Sequence, residues 1–272
     1  MPLHPAAEPI VTRYLAVADR VLPGRITGFY VVGSAALGAW RPGRSDIDFV
    51  AVVDGRVGER VRATHVLGNL TTVARAVRHR RPSIPETMNG VFVAAHDLGL
   101  PVTRIRPLAS HSGWRYRRGH GFDVNPVMWK ILAERGIAVR GPVPADLGLD
   151  PEPGRLRAWN LENLNGHWRR WGERAMSARP PRKPLVPPHR VALASLLAPV
   201  RLHRTVATGE VISKQQAGPY ALDTFPARWH PLIRAGLAHL DGEPPPGSLS
   251  PSRVPALAGE FVLTVVADAD RP

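Results

Sequence analysis

Two runs of β-branched and aromatic residues near the start of this 272-residue chain limit its fold more than any other feature. The run Ile26 to Val32 stops at Gly33, and the run Asp46 to Val53 follows a polar connection that contains glycine and proline. Runs of this length and composition predict buried strands. The sequence around them predicts amphipathic helices over Pro9 to Leu22 and over Glu59 to Arg78. It also predicts a third strand over Val91 to Ala95. Strands that alternate with helices indicate a sheet covered by helices.

The second half of the chain has a different pattern. It contains helical periods separated by proline or glycine, and the connections between them hold no convincing strand. These predicted helices are Pro126 to Arg135, Arg155 to Met176, His189 to Thr208, Lys214 to Leu222, Ala227 to Leu240 and Pro251 to Val266. The predicted fold class is therefore α+β, with a mixed sheet flanked by helices over residues 1–145 and an all-α bundle over residues 146–272.

Composition places the chain among globular proteins. Hydrophobic residues make up 44% and charged residues 21% of the sequence, which disfavours disordered and fibrous classes. The longest apolar run, Val191 to Val200, is much shorter than the roughly 20 residues that cross a bilayer. Cysteine is absent, so neither disulfides nor cysteine-ligated metals are expected. Because the first residues lack the apolar core of a signal peptide, we expect a cytoplasmic protein without membrane contact. We also expect a monomer.

The formal net charge of +14 has two interpretations. Only three of the 36 basic residues are lysines, namely Lys130, Lys183 and Lys214, so the excess of arginine is consistent with a genome-wide bias in composition. Alternatively, the surface attracts polyanions such as nucleotides or RNA, and that binding would be sensitive to salt. Because no recognised nucleic-acid-binding motif of interleaved basic and aromatic residues is found, the first interpretation is favoured over a nucleic-acid partner.

The residues with the strongest chemical signal are a Gly-Ser pair and an Asp-x-Asp pair. Asp46 and Asp48 are two positions apart, so their side chains leave a strand on the same side. Neighbouring carboxylates repel each other unless a cation lies between them, and Mg²⁺ combines one or two carboxylates with substrate phosphates. Gly33 and Ser34 follow a strand and precede a predicted short helix, where backbone N–H groups can receive phosphates. The pattern predicts a Mg²⁺-nucleotide site.

This arrangement resembles the polymerase-β-like nucleotidyltransferases, which carry Gly-Ser, a spacer, and Asp-x-Asp opening a strand. The chain is most similar to the aminoglycoside adenylyltransferases that modify streptomycin and spectinomycin, in which a helical domain follows the catalytic domain. Two further segments contribute to the resemblance. Gly136 to Pro142 is similar to the family's segment between domains, and Thr208 to Lys214 is similar to its segment in the helical domain, where a lysine contacts nucleotide phosphates.

The resemblance implies Mg²⁺-dependent transfer of AMP from ATP to a hydroxyl group of a small molecule, with release of pyrophosphate and with antibiotic resistance as the outcome. Asp46 and Asp48 would hold the metal ions, which clamp the attacking and leaving oxygens. Gly33, Ser34 and Ser45 would hold the phosphates, and Lys214 would close on them from the second domain. ATP would then lie in the cleft between the two domains.

The third carboxylate of the family has no equivalent in this sequence. If His96 and Asp97 mark the register, its position falls at Asn89 or Gly90, and neither residue can act as a base. Loss of a positioned base typically costs roughly 10²- to 10⁴-fold in rate. Glu86 is the nearest candidate for this catalytic role, although an ordinary surface glutamate explains it equally well. Activity is therefore expected to be weak, or to depend on another group.

The acceptor side also fits the family poorly, since a site for polycationic aminoglycosides should contain carboxylates. Between Asn163 and Thr208 the one acidic residue is Glu173. Three residues are candidates for contact with the acceptor, two as stacking aromatics and one as a carboxylate: Trp114, Trp168 and Glu162. Asp123 and Glu173 could join them in space.

Three hypotheses follow. The first is an adenylyltransferase that acts on a hydroxylated, aminoglycoside-like small molecule. The second is a nucleotide-binding protein whose catalysis is degraded, because the third carboxylate is missing. The third is a nucleotidyltransferase that acts on RNA or another anionic partner, which the net charge of +14 suggests.

Overall fold

The computed structural model describes residues 2–55, 57–58, 60–78, 86–113, 115–177, 186–247 and 249–271. The chain divides into two compact units, Met1–Pro153 and Gly154–Pro272. The division lies later than the predicted boundary at residue 145, because residues after 145 are bonded to the first unit. Pro101 forms a β-bridge with Asp150, and the backbone N–H of Thr103 donates to Glu152 Oε2 at 2.7 Å.

A sheet of six strands forms the centre of the first unit. In chain order the strands are β1 (Ile26–Val32), β2 (Ile47–Val53), β3 (Met88–Ala94), β4 (Ala109–Ser112), β5 (Arg115–Arg118) and β6 (Ile137–Arg140). Their order across the sheet is β5-β4-β3-β2-β1-β6. Neighbouring strands are antiparallel except β2 and β3, which are parallel. A parallel pair needs a crossover connection, and helix α3 (Arg60–Arg78) lies in it.

Alternation along β2 sends one set of side chains into the core of the first unit. The ring of Phe49 stacks on Phe29 of β1 at 4.8 Å and lies 5.1 Å from the ring of Tyr14. Tyr14 belongs to α1 (Glu8–Val21), which packs against α3. Both helices therefore cover the sheet face to which Phe49 points, and this buried aromatic cluster fixes which residues of β2 face away from it.

Two further helices complete the first unit. Helix α2 (Gly33–Ala36) follows β1 directly, and α4 (Pro126–Arg135) packs against both α2 and β1. The sequence predicts α4 with the same bounds. Asn125 explains where it begins, since its side chain accepts a hydrogen bond from the N–H of Met128 at 2.9 Å and so caps the first turn.

The second unit is helical, which confirms the predicted α+β class. Its helices within the described residues are α5 (Leu156–Asn163), a π-helical turn (Leu164–Trp168), α6 (Arg169–Ser177), α7 (Pro188–Leu196), α8 (Ala198–Thr208), α9 (Lys214–Thr224), α10 (His230–Asp241) and α11 (Val254–Ala269). The apolar helix α11 packs against α6, α7 and α8. Its buried side chains include Phe261, Val262 and Val265, so α11 is the centre of this unit's core.

Some predicted elements differ from the observed ones. The helix predicted over His189 to Thr208 is divided at Leu197, because Pro199 begins a new helix in its first turn. The prediction that the connections after residue 126 hold no strand was wrong, because Ile137–Arg140 pairs with β1 as β6. Strands β4 and β5 were not predicted. Among the described residues, no helix has the length and apolar character required to span a membrane.

Candidate active site

The N-terminal end of β2 is the point at which the predicted site residues meet. Asp48 pairs with Val32 at the end of β1 and, on its other side, with Asn89 of β3. Because Phe49 points to the aromatic core, Asp48 points to the opposite face of the sheet. Its side chain is half-buried. Asp48 thus lies on β2, between β1 and β3, on the face of the sheet that α1 and α3 do not cover.

Gly33 follows Val32 and lies directly against the Asp48 carboxylate. A Cβ atom built on Gly33 would be 2.1 Å from Asp48 Oδ2, and the backbone here has φ +60°. Only glycine tolerates both the close approach and the left-handed conformation. The chain then enters α2, where Ser34 is the second residue and is half-buried. The Gly-Ser pair and Asp48 therefore belong to one local structure.

Asp46 is held in place immediately before β2 by the neighbouring segment. Its Oδ1 accepts hydrogen bonds from both the hydroxyl of Thr87, at 2.7 Å, and the N–H of Thr87, at 3.2 Å. A carboxylate that accepts two such bonds is oriented before any ligand arrives. The sequence analysis did not identify Thr87, because its contact with Asp46 depends on the parallel pairing of β2 and β3.

Ser45 and Glu86 stabilise the loop that leads to Asp46. Ser45 Oγ accepts the N–H of Arg41 at 3.2 Å, and the N–H of Glu86 donates to Ser45 O at 3.0 Å. Glu86 Oε1 accepts the N–H of Gly43 at 2.8 Å. Glu86 has φ +66° and is buried, a conformation that is strained for a residue with a side chain. Glu86 thus connects the segment before β3 to the loop before β2.

Asn89 is the one of the two positions expected for the family's third carboxylate that lies beside Asp48. Parallel register places Asn89 beside Asp48, on the same face. Gly90 is adjacent to Asn89 and belongs to the other face, since a Cβ atom there would be 2.8 Å from Cγ of the Phe49 ring. Asn89 Oδ1 accepts the N–H of Gly113 at 2.8 Å. Of the two alternatives that the sequence left open, Asn89 is therefore the residue that faces the site, and an amide cannot serve as a base.

The donor set at this end of β2 fits Mg²⁺ that is shared with a substrate. Within the described residues, no group of three or more His, Cys, Asp or Glu side chains is arranged to hold a metal ion. Asp46 and Asp48 supply carboxylate oxygens from one side of the strand. Mg²⁺ is typically bound by one or two carboxylates together with substrate phosphates and water, so two carboxylates are sufficient.

Comparison with known families agrees with this geometry. Residues 16–80, which include Gly33, Ser34, Asp46 and Asp48, match the model of the nucleotidyltransferase domain. Residues 192–261 match the model of the aminoglycoside adenylyltransferase C-terminal domain. Residues 16–80 therefore form a nucleotidyltransferase domain, and residues 192–261 form a domain of the kind that ends the aminoglycoside adenylyltransferases. The protein is therefore an enzyme of the nucleotidyltransferase class.

One solved structure is similar to this nucleotidyltransferase over nearly the whole length of the chain. Spectinomycin adenyltransferase AAD(9) from Enterococcus faecialis, crystallised with ATP and spectinomycin, is 12% identical to it, with a TM-score of 0.65. The similarity covers 96% of this chain and 99% of that chain. At this identity the likeness establishes a shared fold. No curated protein sequence matches the chain.

Lys214 begins α9 in the second unit of the nucleotidyltransferase. Ser213 and Gln216 form a capping box that fixes this helix start. Lys214 is half-buried, and its Nζ donates to Ala194 O at 3.1 Å. The residue lies within the part of the chain that matches the aminoglycoside adenylyltransferase C-terminal domain. Its predicted contact with nucleotide phosphates stays a prediction.

The residues predicted to contact the acceptor differ in their exposure and in their surroundings. Trp114 lies outside the described residues. Glu162 is exposed on α5. Trp168 is half-buried, with its ring 5.0 Å from that of His167 and 5.9 Å from that of Trp171, so it contributes to packing within the second unit. Asp123 precedes α4, and burial raises the pKa of its carboxyl group. The roles of these residues stay predictions.

Proposed function

We propose that this nucleotidyltransferase transfers AMP from ATP to a hydroxyl group of a small molecule and releases pyrophosphate, in a Mg²⁺-dependent reaction. The observation that carries the proposal is the contact between the Gly33 backbone and the Asp48 carboxylate, with Asp46 oriented beside it by Thr87. Such a site can bring metal-bound phosphates to the first turn of α2. The matched nucleotidyltransferase domain supports this interpretation.

Each residue of the site has a role in this proposal. Asp46 and Asp48 would hold Mg²⁺, which supplies positive charge to the reacting phosphoryl group. The backbone at Gly33 and Ser34 would orient the outer phosphates through N–H groups and the serine hydroxyl. Ser45 would join them at the phosphates from the loop before Asp46, and Lys214 would contribute a compact ammonium group. Most of the acceleration would come from positioning and neutralisation of charge.

The acceptor hydroxyl needs a group that takes its proton as the new P–O bond forms. We propose Glu86 for this role, because it is a carboxylate on the segment that leads into β3. Asn89, in the register position next to Asp48, supports the expectation that turnover is slow.

The acceptor that we propose is an aminoglycoside-like antibiotic, with resistance as the biological result. The structurally similar enzyme was crystallised with ATP and spectinomycin, which makes spectinomycin the first compound to test. Trp114, Trp168 and Glu162 are the proposed acceptor contacts. We further propose that the enzyme acts as a monomer in the cytoplasm.

Binding and turnover should be measured on the same preparations. Wild type is titrated calorimetrically with a non-hydrolysable ATP analogue and Mg²⁺, and pyrophosphate release is followed with ATP and a panel of aminoglycosides that includes spectinomycin and streptomycin. Asp48→Asn should abolish both signals. Asp146→Asn, which alters an exposed carboxylate in the same unit, is the matched control and should leave both unchanged. Analogue binding that persists in Asp48→Asn would contradict the proposed site.

A second candidate function is favoured by Asn89. If the missing carboxylate has removed catalysis, the protein binds Mg²⁺-ATP but transfers nothing. The titration would then show binding that depends on Asp48, while every acceptor in the panel fails to release pyrophosphate. Transfer to RNA, which the net charge of +14 suggests, is tested by adding RNA to the same assay at about 50 and about 200 mM salt, because phosphate contacts weaken steeply over that range.

A further inference from the structure

Arg117 of the edge strand β5 lies on the same face of the sheet as Asp48. It is paired with Ser110 of β4, and Ser110 is paired with Val91 of β3. Paired residues of neighbouring strands point to the same face. Val91 is two residues after Asn89, which is paired with Asp48, so these side chains also share a face. The side chain of Arg117 therefore belongs to the active-site face of the sheet.

Arg115 belongs to a row of side chains that begins at Asp48. Arg115 is two residues before Arg117 and is paired with Ser112 of β4, which the register places beside Asn89 of β3. Four side chains therefore point to one face from the adjacent strands β2 to β5, namely Asp48, Asn89, Ser112 and Arg115. Because neighbouring strands are about 4.8 Å apart, the Cα atom of Arg115 is roughly 14 Å from that of Asp48.

The part of this face near the edge of the sheet is basic and exposed. Arg115, Arg117 and Ser112 are exposed. In the part of the chain that the structure describes, neither arginine forms an ion pair or a hydrogen bond through its side chain. The residues of β3, β4 and β5 on this face include no acidic side chain; they are Asn89, Val91, Val93, Ser110, Ser112, Arg115 and Arg117. Neighbouring positive charges without a counter-charge repel each other, and an anion relieves that repulsion.

Asn89 fixes the hairpin that carries both arginines. Its Oδ1 accepts the N–H of Gly113 at 2.8 Å, and Gly113, with φ +55°, lies in the turn that joins β4 to β5. Arg115 begins β5 two residues later. A turn that is bonded to the strand next to Asp48 holds the start of β5 in place, which lowers the cost of ordering a ligand site there.

The in-line geometry of phosphoryl transfer brings the acceptor to the side of Asp48 on which the arginines lie. In the proposed function the outer phosphates of ATP bind at α2, which follows β1. β1 and β3 lie on opposite sides of β2. The attacking oxygen approaches opposite to the leaving oxygen, so pyrophosphate leaves on the side of β1 and the acceptor hydroxyl comes from the side of β3. The rest of the acceptor then extends over β3 and β4 towards Arg115.

We propose that this enzyme also transfers AMP to a hydroxylated small molecule that carries a phosphate group, with Arg115 and Arg117 binding that phosphate. The inference rests on the proposed function, because it adds a class of acceptor to the same site. A guanidinium group pairs two N–H donors with the oxygens of a phosphate. The separation of roughly 14 Å between Asp48 and Arg115, reduced by the length of an arginine side chain, is spanned by a sugar phosphate.

The transfer keeps the chemistry of the proposed function. The hydroxyl oxygen of the acceptor attacks the α-phosphorus of ATP while the bond from this phosphorus to the bridging oxygen of the β-phosphate breaks. Pyrophosphate leaves with the electron pair of that bond, and the hydroxyl proton passes to Glu86. The product is a phosphodiester that joins AMP to the phosphorylated acceptor.

Binding is tested by calorimetric titration of ribose 5-phosphate into the full-length protein, saturated with Mg²⁺ and an ATP analogue that cannot be cleaved between its α- and β-phosphates. Wild type should bind ribose 5-phosphate at least about tenfold more tightly than uncharged ribose. Arg115→Gln combined with Arg117→Gln should weaken binding of ribose 5-phosphate by about tenfold, since each exposed charged contact contributes a few-fold. Raising the salt concentration should also weaken binding.

Turnover is measured as release of pyrophosphate from ATP with ribose 5-phosphate as the acceptor. The double variant should raise the KM for ribose 5-phosphate by about tenfold and change kcat by less than about twofold, because the arginines contact a phosphate that does not react. Its affinity for the ATP analogue and its KM for spectinomycin should equal those of wild type.

Arg118→Gln is the matched control on the same strand. Arg118 is paired with Ala109, which belongs to the core cluster with Tyr14 and Phe49 on the other face of the sheet. This variant should bind ribose 5-phosphate like wild type. Melting temperatures of both variants within experimental error of wild type would show that the fold is intact.

Two results would overturn this inference alone. One is a wild type that binds the ATP analogue but not ribose 5-phosphate, and the other is a double variant that binds ribose 5-phosphate as tightly as wild type. A short RNA that accepts AMP with an arginine-dependent KM, while ribose 5-phosphate shows no such dependence, would assign the arginines to an RNA acceptor and would also overturn it. If wild type does not bind the ATP analogue, the proposed nucleotide site fails and this inference fails with it.

Discussion

Gly33 and Asp48 are packed so closely that a side chain at position 33 would overlap the carboxylate, with Cβ 2.1 Å from Oδ2. Gly33→Ala should therefore displace Asp48 and abolish Mg²⁺-dependent binding of an ATP analogue. It should also lower the free energy of unfolding by about 1–3 kcal/mol, because φ is +60°. Calorimetric titration and urea unfolding measure the two effects.

Gly24→Ala is the matched control for this experiment. Gly24 has φ +65°, and a Cβ atom at this position would have no atom of the described residues within 4 Å. The variant should show only the conformational cost, about 1–2 kcal/mol, with nucleotide binding unchanged. Equal binding by Gly33→Ala and wild type would show that the contact with Asp48 is not part of the nucleotide site.

Asn89→Asp should increase the rate of AMP transfer by about 10²-fold, because it places a carboxylate in the register position beside Asp48. The new side chain keeps an oxygen that can accept the N–H of Gly113. The rate of pyrophosphate release at saturating ATP measures the gain. Without Mg²⁺ the same variant should be less stable than wild type, since two carboxylates then face each other uncompensated.

Glu86→Gln separates a catalytic role from a positioning role. The glutamine keeps an oxygen for the N–H of Gly43, so the loss in free energy of unfolding should stay within about 0.5–3 kcal/mol and the fold should be retained. If Glu86 is the base, as we propose, turnover should fall by about 10²-fold or more while binding of the ATP analogue is retained. Turnover equal to that of wild type would show that Glu86 does not act as the base.

His111 should make the stability of the first unit depend on pH. Burial, reinforced by the neighbouring His65, lowers the pKa of His111 to about 3 in the folded protein, whereas an unfolded histidine has an ordinary pKa near 6.5. Below about pH 6.5 the unfolded chain therefore binds a proton that the folded chain does not bind. This difference lowers the free energy of unfolding by up to about 1.4 kcal/mol for each unit that pH falls towards 3.

Comparison with His111→Phe isolates this contribution. At pH 7 the variant should be less stable by about 0.5–1.5 kcal/mol, because the buried hydroxyl of Tyr14 loses its bond to His111 and keeps the one to Thr64. As pH is lowered to about 5 the difference should shrink, since the phenylalanine has no proton to bind. Urea unfolding at several pH values measures it. A constant difference across this range would show that His111 is protonated equally in the folded and unfolded states.

The features that depend on local periodicity could be predicted from the sequence. The alternation of polar and apolar residues from Asp46 to Val53 placed both carboxylates on one side of a strand, and α4 occurs with the predicted bounds, Pro126–Arg135. The same local reasoning predicted the change from a sheet to helices. Each of these features is determined by neighbours within a few residues in the chain.

The features that were missed depend on pairing between distant residues. Strands β4 to β6 have four residues each, and Arg115–Arg118 of β5 has no hydrophobic alternation, so partner strands and not propensity define them. The choice between Asn89 and Gly90 required the register of β3 on β2. The left-handed backbone of Glu86 depends on its bonds to the loop before β2, which no local pattern contains.

The pairing of β6 with β1 has a consequence for synthesis on the ribosome. Val31 pairs with Ile137 in the sheet. The backbone groups on the outer edge of β1 therefore stay unpaired while the roughly one hundred residues between these positions are translated. During this interval its unpaired backbone groups can recruit a strand from another nascent chain. Release of the chain before Arg140 should leave that edge open, and such fragments should aggregate even though they contain both carboxylates and the Gly-Ser pair.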